Sequence, residues 1–185
     1  MGPRILGLLA MATLLLVSCD LWVDPSVMKG EQRLGLEAPQ RARLVALFGD
    51  PFVSDSAPHL FVADFTANRN HPVLGGRVLA GVYDPSLDKI WINFWYATEG
   101  VVAHELTHRW QARVLHDDLP GSAQRSSLDY RFTEDQVTAA VASGSRLNCE
   151  QEATIVSLCD EDRDGSDPRE PLFTAYLKKF LHLPE

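Results

Sequence analysis

The chain has 185 residues, 45% of them hydrophobic, which is enough apolar material for one core and too little length for two comfortable domains. Acidic residues outnumber basic ones, 25 against 17, for a formal charge of −8, so the basic footprint that grips a nucleic-acid backbone is missing and nucleic acid is not an expected partner. Gly and Pro are ordinary at 12 and 11 residues and no heptad run is sustained, which excludes collagen-like, coiled-coil and wholly disordered classes.

Arg4 precedes an apolar run from Ile5 to Val17, 13 residues long. That is the length of a signal-peptide core and falls short of the roughly 20 residues a bilayer-spanning helix needs. The run closes on Leu16-Val17-Ser18-Cys19. Small residues just before a cysteine resemble the lipobox of bacterial lipoproteins, in which cleavage leaves the cysteine as a lipid-bearing first residue. The resemblance implies a signal peptide over residues 1–18, lipid on Cys19, and a protein held to a membrane of the bacterial cell envelope, facing away from the cytoplasm. Two acyl chains, at about 0.8 kcal/mol per buried methylene, anchor a protein without any helix in the membrane. Residues 19–38 mix Pro, Gly and charges and read as a tether, with the folded domain expected over 39–185.

Gln40 to Phe48 places Leu44, Val45, Leu47 and Phe48 at helical spacing and stops at the breaker cluster Gly49-Asp50-Pro51. Leu60 to Phe65 reads as a strand. Arg77 to Tyr83 and Lys89 to Tyr96, rich in β-branched and aromatic residues, flank Asp84-Pro85-Ser86-Leu87-Asp88 and predict an antiparallel hairpin. Lys89 to Tyr96 is the candidate edge strand that a substrate peptide would extend, although apolar residues on both its faces equally suit buried core.

Thr98 is a good N-cap for a helix running to about Val114, and that helix contains His104-Glu105-Leu106-Thr107-His108. Four residues apart on a helix, His104 and His108 project from one face, close enough for both imidazoles to reach one ion at about 2.0 to 2.1 Å. Glu105 lies about 100° round the helix, beside the ligands, where a carboxylate can take a proton from water. A catalytic zinc takes three protein ligands and keeps a position open, so a third is expected downstream. Asn148 to Cys159 reads as a helix that offers two glutamates. Glu152 shares the apolar arc of Ile155, Val156 and Cys159; Glu150 shares a face with the small residues Ala153, Thr154 and Ser157, which would let two helices approach closely. Ten steps of that helix separate Cys149 from Cys159 by about 15 Å, too far for a disulfide.

His104-Glu105-Leu106-Thr107-His108-Arg109-Trp110-Gln111, followed by Glu150-Gln151-Glu152-Ala153-Thr154, resembles bacterial and archaeal zinc metallopeptidases of the gluzincin type, which carry HELTHxxQ and then Glu-x-Glu-Ala-Thr. The resemblance covers about residues 98–158. It implies a zincin-like α+β fold, in which a small antiparallel sheet lies over the HExxH helix and a following helix brings the third ligand. It implies zinc on His104, His108 and Glu150, Glu105 as general base, and hydrolysis of a peptide or protein substrate. The alternative is a catalytically inactive zincin-like lipoprotein that binds envelope components. Larger gluzincins place an aspartate four residues after the ligand glutamate to orient a histidine, and Thr154 stands there.

Trp110 and Gln111 read as packing and helix-surface residues. Tyr130, His116 and Tyr176 are the chemically suitable donors for an oxyanion. Asp160 to Asp167 matches the first half of a calcium loop, but the twelfth position falls on Pro171, so a solvated acidic loop competes with that reading. Leu172 to His182 predicts a last helix with Leu172, Phe173, Tyr176, Leu177 and Phe180 at core spacing.

Overall fold

A computed structural model describes residues 29–65, 80–117, 130–162 and 166–181. The signal-peptide and Cys19 expectations lie outside these residues. Four strands, β1 (Lys29–Arg33), β2 (Leu60–Asp64), β3 (Gly81–Asp84) and β4 (Lys89–Asn93), form one sheet in the order β1-β2-β4-β3. The hairpin forms as its turn residues require, with Tyr83 opposite Ile90 and Asp84 opposite Lys89. It docks on β2 through its second strand, however. Leu60 therefore pairs with Ile90 and Val62 with Ile92 in parallel register. The sheet is mixed, which corrects the antiparallel sheet expected from sequence.

The same docking places β4 between β2 and β3, so it is not an edge strand. Apolar residues on both its faces are explained by this internal position, since Ile90, Trp91 and Ile92 are all buried. The strand ends at Asn93, whose side chain accepts the Trp95 N–H, and Phe94–Tyr96 turn in a 3-10 helix. Strand β1 corrects the tether expectation at its C-terminal end. It pairs antiparallel with β2, and its Glu31 accepts from Trp91 Nε1 at 2.7 Å and from Lys89 Nζ at 3.2 Å, so the fold includes residues before 39.

Among the described residues six α-helices complete the α+β architecture: α1 (Ala38–Phe48), α2 (Asp50–Ser56), α3 (Glu99–Arg113), α4 (Glu134–Ser143), α5 (Cys149–Glu161) and α6 (Glu170–Phe180). The cluster that stops α1 also starts α2. Pro51 sits in the first turn, where its missing N–H costs nothing, and Gly49 takes φ 80° between the two helices. Helix α4, not among the elements expected, begins at a capping box in which Thr133 and Gln136 exchange side-chain to backbone bonds. None of the described helices is long and apolar enough to cross a membrane.

Helix α3 is the centre of the molecule, with every residue from Gly100 to Gln111 buried. It packs on α5, on β3 and on α1. At the α5 contact, Gly100 leaves room for Glu161 and for Ser157, whose Oγ would stand 2.7 Å from a Cβ there. At its other end Arg109 reaches back to the hairpin turn. Its guanidinium donates to both oxygens of Asp88 at 3.1 and 3.0 Å, to Asp55 at 2.8 Å and to Ser56 Oγ at 2.8 Å.

Candidate metal centre

Thr98 caps α3 by accepting the Val101 N–H, and Asn148 caps α5 by accepting the N–H groups of Glu150 and Gln151, each at 3.0 Å. The second cap fixes the first turn of α5, which carries Glu150. Helices α3 and α5 then bring His104, His108 and Glu150 into one buried group. The His104 and His108 Nε2 atoms are 3.2 Å apart, and Glu150 Oε2 lies 3.3 Å from the first and 3.4 Å from the second. Ligand atoms about 2.0 to 2.1 Å from a tetrahedral ion stand about 3.3 to 3.4 Å from one another, so this triangle has the size a metal ion demands. The donor set of two imidazoles and one carboxylate suits zinc among other divalent ions.

Electrostatics agree with ligand protonation. Burial holds His104 below the usual imidazole range, against the pull of Glu150 and with help from repulsion by His108. Burial alone would raise Glu150, but the two imidazoles outweigh it and keep the carboxyl well below the ordinary carboxylate range. A neutral His104 imidazole and an ionised Glu150 carboxylate are the forms in which those two residues bind a metal.

Glu152 is not in this group. It is fully buried and receives Arg146 Nε and Nη2 at 2.8 and 2.6 Å, the Tyr176 hydroxyl at 2.7 Å and Gln111 Nε2 at 2.8 Å. Gln111 is thereby corrected from a surface residue to a fully buried one that also contacts His108 Nδ1, at 2.9 Å. Trp110 is a packing residue as expected: it meets Phe48 and Phe52, and its Nε1 donates to the Leu181 carbonyl at 2.9 Å.

Glu105 is fully buried and turns toward β3, where a Cβ on Gly81 would stand 2.7 Å from its Cγ. Of the three oxyanion candidates, Tyr130 lies stacked beside His104 with ring centroids 6.3 Å apart. His116 is exposed past the end of α3. Tyr176 is committed to Glu152 and accepts the Leu147 N–H at 2.8 Å. Thr154 Oγ1 donates to the Glu150 carbonyl at 2.8 Å. His104 is hydrogen-bonded to the backbone of Ala153.

The calcium-loop segment lies partly outside the described residues. Asp160 is buried against Arg43, Asp162 accepts the Ser166 and Asp167 N–H groups, and Asp167 pairs with Arg169. Cys149 and Cys159 both lie on α5 and are not joined in a disulfide.

Compared with protein-family models, curated sequences and solved structures, the chain matches none.

Proposed function

We propose that the chain is a zinc-dependent peptidase with a zincin-like domain. The observation that carries this reading is the triangle of His104 Nε2, His108 Nε2 and Glu150 Oε2, with sides of 3.2 to 3.4 Å, held between α5 and the helix α3 that also bears Glu105. The chemistry a zinc ion supplies when bound there is Lewis acidity, which polarises a scissile carbonyl and acidifies water. Glu105 takes the proton of the attacking water and delivers it to the leaving amine. Tyr130, beside His104, donates its hydroxyl toward the oxyanion. Strand β3, the outer strand at its end of the described sheet and packed on α3, guides the substrate backbone in place of β4.

Elemental analysis of the purified chain tests the site. One zinc per chain is expected, with Glu150→Gln losing it and Glu152→Gln retaining more; the reverse order would move the third ligand to Glu152. Placement at the cell envelope rests on Leu16-Val17-Ser18-Cys19. The N-terminal peptide from bacterially expressed full chain is expected to begin at Cys19 with added lipid mass. A peptide without it removes the anchor from the proposal.

A further inference from the structure

We propose that Gln111 and Glu152 are positioning residues of the metal centre, which hold His108 with its proton on Nδ1 and its Nε2 lone pair toward His104 and Glu150. This rests on the metal-site reading above and goes beyond it by giving roles to two residues that touch no metal.

Glu152 is a carboxylate gripped by the Arg146 guanidinium on both oxygens and by the Tyr176 hydroxyl, so toward Gln111 it only accepts. The other neighbour of the Gln111 amide nitrogen is the Cys149 carbonyl at 3.2 Å, which also only accepts. The Gln111 NH₂ must therefore face these two, which turns its Oε1 toward His108. At 2.9 Å from that oxygen, His108 Nδ1 has to be the donor. A neutral imidazole with its proton on Nδ1 presents a lone pair on Nε2, the atom that faces Glu150 at 3.4 Å. The chain of bonds from Arg146 and Tyr176 through Glu152 and Gln111 thus ends on the ring nitrogen that does not face the ligand group.

A purely structural role for Glu152 and Arg146, whose carboxylate is fully buried and whose guanidinium side chain is 34% exposed, is the competing account. Partners of a ligand histidine set its tautomer and metal affinity, which a purely structural pair does not, so those two readouts separate the accounts.

The test uses ¹⁵N-labelled full chain without metal, reading imidazole nitrogen shifts of His108, and then zinc affinity by chelator competition. Wild type is expected to carry a proton on His108 Nδ1. Gln111→Leu, close in volume, is expected to give a mixture of tautomers and to weaken zinc about 10- to 100-fold. Gln111→Glu sets two carboxylates against each other and is expected to do worse. Adding Glu152→Gln restores an acceptor at 111 and a donor at 152, and is expected to recover both the tautomer and most of the affinity. An unprotonated Nδ1 in wild type, or unchanged nitrogen shifts and unchanged affinity in Gln111→Leu, overturns the proposal. If the wild-type chain takes up no zinc, the metal reading fails while the tautomer comparison still decides this one.

Discussion

Arg109 is 3% exposed at its side chain, and Asp88 and Asp55 supply its two carboxylate partners. Asp55 is 68% exposed, so the bond that water replaces least well is the one to Asp88, which is 15% exposed. Burial would raise the Asp88 carboxyl, but hydrogen bonds and charge from Arg109, and then from Arg113, hold it below the usual carboxylate range. A depressed folded-state value means the pair stabilises the protein above the unfolded value of about 3.9, and that this contribution is lost as pH falls through the lower folded value. Asp88→Asn keeps a residue that tolerates the local φ of 49° and removes the charge. Urea unfolding is expected to show a loss of about 3 kcal/mol at pH 7, the low end for breaking a buried pair, because Asp55 remains. The difference from wild type should shrink below about pH 4; an equal difference at pH 7 and pH 3 would show that charge is not the cause.

At the scale of elements, the site depends on how closely α3 approaches its neighbours. Gly81 is the point where β3 meets Glu105, and with Glu105 fully buried there is little room for the added methyl of Gly81→Ala. That variant is expected to displace Glu105, lowering the hydrolysis rate while zinc stoichiometry stays at one, and to destabilise by about 1 to 3 kcal/mol as overpacking does. Unchanged rate and stability would mean that β3 does not position Glu105. Helix α3 and its two candidate ligands were legible because a four-residue spacing and an N-cap are local signals, whereas the residues of α5 left Glu150 and Glu152 open and the choice of Glu150 rested on the family resemblance. The Gln111–Glu152 contact was not, since it joins residues on different helices and only the three-residue step from His108 to Gln111 is local. Strand β1 was hidden for another reason. Lys-Gly-Glu-Gln-Arg has no apolar face, as suits an outer strand that charges protect from further pairing.

Over the whole molecule, the sheet and α5 converge on α3 from two sides, and the three candidate ligands come from both α3 and α5. A bound ion would join these helices and so add to folding stability as well as supply chemistry. The parallel pairing of β2 with β4 belongs to this scale: it joins strands that are not consecutive, and no residue pattern within either strand announces it. The central claim, hydrolysis by a zinc site with Glu105 as its base, is tested most directly by one comparison. Full chain and Glu105→Gln, each assayed for bound zinc, are given an unfolded protein substrate. The account predicts one zinc in both and a rate lower by about 10² to 10⁴ in the variant, the usual cost of removing a positioned base. Equal rates in the two proteins, or no cleavage by wild type with one zinc bound, would contradict it.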